Sequence, residues 1–302
     1  MRKTLALLLA LIPLLACAEK PRVREFDGQS AFHYLETQVA FGPRVPGTEA
    51  HRRMDAWLDS LLRQRADTLV VQRWKHVTVK GDTLPMVNFL ARYRPAAEKR
   101  ILLVAHWDSR PHADGPNSRD STVPVPGAND GGSGVAVLLG VTDVLERTPP
   151  GMGVDLLFVD GEDYGDFTDT AQDVLIGSKY YAANQPPGSG PIYAVLFDLV
   201  ADKELQIYQE GNSLVGAPEV VDLVWDTAKE LGLGGTFIDS PRHTLIDDHL
   251  ELQKAGIRAI DVVDFDYPYW HTPEDTIDKV SAQSLQIVGD LAVALIRREG
   301  TS

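Results

Sequence analysis

Apolar residues fall along this chain in two kinds of pattern. Spaced three and four apart, they mark helices. Ala31, Tyr34, Leu35 and Val39 follow Ser30 as a plausible N-cap, and Met54, Leu58, Leu61 and Leu62 form one face of a second helix over 48–65. In dense runs they mark strands. Residues 68–79 and 85–93 are rich in valine, threonine and aromatics and flank Gly81-Asp82, which predicts a hairpin. Short apolar runs at 100–105, 154–159, 193–199 and 257–263, with a weaker one at 204–209, predict buried strands. Between and after them the helical spacing returns at 133–145, 175–183, 218–231 and 281–298. A hairpin followed by alternating strands and helices predicts an α/β fold, with a mixed, mostly parallel central sheet and helices on both faces. Loops remain at 108–129, 164–174 and 264–274, and loops of that length in a compact domain usually carry function.

The first residues follow another logic. Arg2 and Lys3 precede an apolar run from Leu5 to Leu15, then Ala16-Cys17, the layout of a secretory signal. The run is too short to span a bilayer as a mature helix. Leu14-Leu15-Ala16-Cys17 resembles the bacterial lipoprotein signal, so residues 1–17 are expected to be a leader with Cys17 as the lipidated mature N-terminus. Residues 18–29 are then a polar tether and 30–302 a single catalytic domain. That implies an exported cell-envelope lipoprotein facing the periplasm, and Glu19 in place of a retention-type aspartate favours the outer membrane. Cys17 is the only cysteine, so no disulfide forms within the chain and the core must hold the fold. A net charge of −14 argues against nucleic acid, or an anionic lipid surface, as the main partner.

Some of that excess acid sits where chemistry gathers. The strand-like run Leu156-Leu157-Phe158-Val159 ends in Asp160-Gly161-Glu162-Asp163, a glycine turn with two adjacent carboxylates. Ligands of open α/β sheets collect outside the carboxyl ends of strands, and two adjacent acids there repel unless something positive joins them. His106 and Asp108 also follow a predicted strand, and Asp198 ends another. Asp130 lies in Gly127-Ala128-Asn129-Asp130-Gly131-Gly132-Ser133-Gly134, and His271 in Tyr269-Trp270-His271-Thr272-Pro273. Histidine and carboxylate groups converging from several strand ends suit zinc. Each has a plainer role open to it. Asp130 could cap the following helix, Asp198 could pair with a lysine, and Asp108 is better suited to orienting a histidine ligand than to binding metal. His33, His51, His76 and His112 are expected to be ordinary hydrogen-bonded side chains.

Taken in order, Phe41-Gly42-Pro43-Arg44, His106-Trp107-Asp108-Ser109, Ala128 to Gly134, Asp160 to Asp163, Gly177-Ser178, Phe197-Asp198 and Trp270-His271-Thr272 resemble the zinc aminopeptidase superfamily. That superfamily has a phosphorylase/hydrolase-like fold and includes the animal-type glutaminyl-peptide cyclotransferases. The resemblance implies Asp130, Asp163 and His271 as ligands of the main zinc and Glu162 as the catalytic acid/base. It also implies His106 and Asp198 as second-metal candidates, with one zinc in a cyclase and two in an aminopeptidase.

Two reactions on the N-termini of peptides or proteins fit this set: cyclisation of an N-terminal glutamine, and aminopeptidase hydrolysis. Asp247-Asp248-His249 is similar to an acid-acid-His segment of cyclases, whose first acid, here Asp247, would share a proton with Asp198. Residues 164–174 resemble an inserted cyclase loop, and Trp270 would form a flat apolar wall. These features favour the cyclase. Against them, animal cyclases have Glu where Asp163 stands, and their inserted loop carries a tryptophan that this chain lacks. Tyr164 and Phe167 are the candidates to replace it. A non-catalytic binding lipoprotein would need broken ligands or a lost base, and none is seen.

Overall fold

The computed structural model describes residues 24–167, 172–188 and 190–300, so the leader and Cys17 lie outside the described residues. The chain runs α1 (Gly28–Ala40), α2 (Glu49–Arg65), β1 (Thr68–Val77), β2 (Thr83–Tyr93), β3 (Arg100–His106), α3 (Ser133–Arg147), β4 (Gly153–Val159), α4 (Ile176–Ala183) and β5 (Ala194–Asp198). It continues through β6 (Ile207–Gln209), α5 (Gly211–Gly216), α6 (Pro218–Glu230), β7 (Phe237–Pro241), α7 (Asp248–Lys254), β8 (Ala259–Val263) and α8 (Ala282–Glu299). Six strands form one sheet in the order β1-β2-β4-β3-β5-β8. The hairpin β1–β2 and the β2–β4 pair are antiparallel, whereas β4, β3, β5 and β8 run parallel. The predicted α/β architecture is therefore the observed one.

The apolar runs are explained by two-sided burial. Along β3, Ile101, Leu103 and Ala105 enter one core and Leu102 and Val104 the other; along β4, Leu156 and Phe158 divide in the same way from Leu157 and Val159. The larger core takes the buried faces of α1, α3, α6 and α8, and the smaller is closed by α4 and α7. Strands covered on both faces have no solvent side to make polar, so alternation disappears from their sequence.

Some elements depart from expectation. The first helix is capped by Asp27, whose side chain accepts from Gln29 N and Ser30 N, so Ser30 lies inside it. Phe26 is buried against Gly140 and Gly289, so the expected tether gives way to packed chain before residue 29. The weak strand at 204–209 shortens to β6 and leaves the main sheet to pair with β7, a strand with no clear sequence signal.

Chain order places the site. From β3 the chain crosses to β4 on one side and then to β5 on the other, so the carboxyl ends of β3 and β5 flank a topological switch point, where a crevice opens. His106 ends β3 and Asp198 ends β5. The loop that carries Asp130 feeds α3 across this edge, and Gly134 is what lets it close: a Cβ there would meet Phe197 O and Ala105 Cβ. Gly134→Ala is expected to destabilise the protein by about 1–3 kcal/mol through overpacking, measured by urea unfolding. Stability equal to the parent would mean the loop is not tightly seated.

Candidate metal centre and active site

His106, the Asp160–Asp163 turn and Asp198 stand where strands stop. After β4, Asp160 is fully buried and accepts from Val87 N at 2.8 Å, while His51 Nε2 lies 3.0 Å from both its oxygens. His51 stacks on Trp107 at 4.4 Å. This anchor holds the start of the turn, and Gly161, at φ +70°, bends it sharply. Asp108 holds the next two residues, its oxygens accepting from Glu162 N at 3.0 Å and Asp163 N at 3.2 Å. It also lies 3.5 Å from His106 Nδ1, at the limit of a hydrogen bond. The hydrogen bonds of Asp108 therefore fix the turn.

The loop carrying Asp130 is clamped from two directions. Arg44 is fully buried and donates to the carbonyls of Pro126 and Gly127, each at 2.7 Å. Burial lowers its pKa to about 10. Asp275 accepts from Asn129 N at 2.9 Å, Asp130 N at 3.2 Å and the Tyr267 hydroxyl at 2.7 Å. Asp130 does not cap α3, whose N-cap is Gly132 with no side-chain bond. Its carboxylate instead faces His106 Nε2 at 3.2 Å and His271 Nε2 at 3.5 Å. Asp198 pairs with His106 at 3.1 Å rather than with a lysine.

Two groups of possible ligands result, and they share one residue. His106, Asp130 and Asp198 form one, and Asp130, Asp163 and His271 the other; within each, the ligand atoms lie within 4.8 Å of one another. Asp130 Oδ2 and Asp163 Oδ2 are buried without a hydrogen-bond partner. Buried acceptors left bare are costly, and nitrogen and oxygen donors at this spacing fit zinc. His271 adopts φ +52°, rare for a residue with a Cβ, so its neighbours must hold it there.

The electrostatics follow from crowding. Burial and then the Asp163 charge push Asp130 up to about 6, and the same two causes raise Glu162 well above the usual carboxylate range. Asp163 goes the other way: burial opposes its charge, but His271 and Arg110 outweigh burial and bring it to about 2. Burial also opposes charge on His271, yet Asp163, Asp114 and Asp130 raise its pKa to about 9. Two adjacent acids on one turn are therefore driven apart, one toward a fixed charge and one toward holding a proton. Burial and Asp198 raise Asp247 to about 6.

A cavity of about 310 Å³ opens onto these groups, lined by Asp130, Glu162, Asp163, Asp198 and His271 with Asp247. Its apolar wall is Trp270, Phe265, Phe167, Leu245 and Ile246. Trp270 stacks on His271 at 3.9 Å and meets Phe265 edge-on at 4.8 Å. Asp247 caps the short helix α7, and Ser178 of the Gly177-Ser178 pair donates to Asp248 behind it. Tyr164 is a correction: it packs with Leu84, Met86 and Ile176 and lines an adjacent groove, not this cavity, because its ring fills that small apolar cluster. Phe167 is the loop residue that lines the cavity; residues 168–171 of the loop lie outside the described residues.

Sequence reading missed Leu245, Ile246 and Phe265, which sit in loops without periodicity. Their only signal was proximity to Asp247 and Trp270. It also missed Arg110 and Asp114, and Asp275, which look like ordinary surface charges until the loops fold inward.

A crevice at a switch point of an α/β sheet, lined by convergent histidines and carboxylates around bare acceptors, has the donor set of a zinc site. The profile of Peptidase family M28 matches residues 88–296, and the chain belongs to that family. The structure is similar to a glutaminyl cyclase from Bacteroides thetaiotaomicron bound to N-acetylhistamine, with TM-score 0.85, 35% identity, and coverage of 90% of this chain and 97% of that one. It is equally similar to a leucine aminopeptidase precursor from Bacteroides thetaiotaomicron, at TM-score 0.86 and 35% identity over 90% and 97% of the two chains. Among curated relatives, Aminopeptidase YwaD of Bacillus subtilis is 25% identical over 92% of this chain, which spans 59% of that protein's length.

If the cluster is a metal site, removing one acid has opposite effects with and without zinc. Asp130→Asn is expected to abolish the rise in Tm on adding zinc to chelator-stripped protein, while leaving the stripped protein at least as stable as the parent, since a crowding charge is gone. A zinc-dependent rise equal to the parent's would exclude Asp130 as a ligand.

Proposed function

We propose that the protein cyclises N-terminal glutaminyl peptides to pyroglutamyl peptides and releases ammonia. The observation that carries this reading is a buried third acid, Asp247, lining the same cavity as Glu162 and Asp198. Burial and the neighbouring Asp198 charge raise Asp247, so Asp247 is driven toward holding a proton beside Asp198. An Asp198 engaged in that way is less available to a second metal.

Asp130, Asp163 and His271 would hold one zinc. Bound there, zinc supplies Lewis-acid polarisation of the substrate's side-chain carbonyl. The remaining work falls to the chain. Trp270, Phe265 and Leu245 provide flat apolar surface for a glutaminyl side chain and exclude water, the competitor of an intramolecular reaction. With the chain end so oriented, the α-amine forms its bond to the side-chain carbonyl carbon, and the bond from that carbon to the amide nitrogen breaks. Glu162 takes the proton from the attacking amine and returns it to the departing nitrogen, a transfer for which a carboxyl of raised pKa is suited.

A second reading is aminopeptidase hydrolysis. It is favoured by the other ligand group, His106, Asp130 and Asp198, which would hold a second zinc with Asp130 shared. Glu162 would then take its proton from water. The proposed export and lipid anchorage at Cys17, on the periplasmic side of an outer membrane, would present either activity to peptide or protein N-termini in the envelope.

Incubation with Gln-Ala amide and Leu-Ala amide separates the two reactions. Ammonia and a pyroglutamyl product from the first, with no free leucine from the second and about one zinc per chain, is the expected result. Leucine release without ammonia from Gln-Ala amide, at about two zincs per chain, would overturn the cyclase reading. Glu162→Gln is expected to keep its zinc and lose about 100-fold or more in kcat. A kcat within a few-fold of the parent would remove Glu162 from the reaction.

A further inference from the structure

We propose that Arg110 and Asp114 form a positioning pair that sets two of the zinc-facing side chains, His271 and Asp163, and ties them to the pocket wall at Phe167. The proposal rests on the zinc reading above. Arg110 donates from Nη1 to the Asp163 carbonyl at 3.1 Å and to Asp163 Oδ1 at 3.2 Å. Its Nε and Nη2 grip both oxygens of Asp114 at 2.6 and 2.7 Å, a bidentate fork. Asp114 Oδ1 in turn lies 3.5 Å from His271 Nδ1, and His271 Nε2 lies 3.1 Å from Asp163 Oδ1. The four side chains close a ring.

Each link has a consequence for the ligands. A carboxylate facing Nδ1 of an imidazole keeps a proton there, which leaves Nε2, the nitrogen directed at Asp130 and Asp163, as the one that would bind a metal. Arg110 occupies Asp163 Oδ1, so the oxygen left bare is Oδ2. The backbone repeats the connection. Gly115 N donates to His271 O at 2.9 Å, and a Cβ on Gly115 would meet Trp270 O, so the 110–115 loop is seated directly on the strained His271. The Arg110 guanidinium also lies 5.6 Å from the centre of the Phe167 ring. Displacement of Arg110 would therefore move a cavity wall and a metal-facing acid together.

The test is zinc affinity, measured by chelator competition and read beside the stability of the metal-free protein. The Asp114 side chain is 44% exposed, so Asp114→Asn is tolerable to the fold. It is expected to weaken zinc binding about 10- to 100-fold while metal-free Tm stays unchanged, and Asp114→Glu should recover part of the loss. Arg110→Lys, which keeps the charge and loses the fork, should weaken zinc and raise KM for the peptide substrate more than it lowers kcat. Zinc affinity in Asp114→Asn within about threefold of the parent would overturn the pair. So would an equal loss of stability with and without metal, because that marks a purely structural role. A parent protein that binds no zinc would instead overturn the metal reading, and the pair with it.

Discussion

The structure depends on the repulsion among carboxylates that it gathers at one point. Asp130, Glu162, Asp163, Asp198 and Asp247 line one cavity, and Asp108, Asp248 and Asp261 are buried. Mutual repulsion and lost hydration would drive such groups apart or force protons onto them. His106, His271 and Arg110 offset part of the charge, and the bare oxygens of Asp130 and Asp163 mark where a further positive charge belongs. The site is thus a strained arrangement that the rest of the fold must hold.

The fold meets that demand with rigid elements and buried clamps. Parallel strands covered on both faces deliver His106, the Asp160–Asp163 turn and Asp198 to a common edge. Asp108 fixes the turn through its backbone N–H groups, Arg44 and Asp275 fix the Asp130 loop from opposite sides, and His51 fixes Asp160. These contacts use the backbone as often as the side chain, so the side chains of the site inherit their positions from the main chain. The apolar half of the cavity, from Trp270 to Ile246, is what turns a charged cluster into a site for an organic substrate.

The opposite fates of Glu162 and Asp163 illustrate the result. The two residues are neighbours of nearly identical chemistry on one turn. His271 and Arg110 face Asp163 and hold it ionised, whereas burial and the Asp163 charge itself raise Glu162. Two like groups are driven toward different charge states by environment alone.

Much of this was legible in the residues. The hairpin, the parallel strands, most of the helices and the strand-end positions of His106, Glu162, Asp163 and Asp198 follow from local pattern, because burial on two faces and termination at glycine turns are properties of short segments. The Asp27 cap, the departure of β6 from the main sheet, the inward turn of Phe167 in place of Tyr164, and the Arg110–Asp114 ring were not legible. These depend on which segments distant in the chain meet, and loops carry no period from which that meeting can be read. The sequence by itself determined which chemical groups would stand at the ends of strands. Tertiary structure decided which of them face one another, because only packing sets the distances at which charges act and the burial that gives each carboxylate its own task.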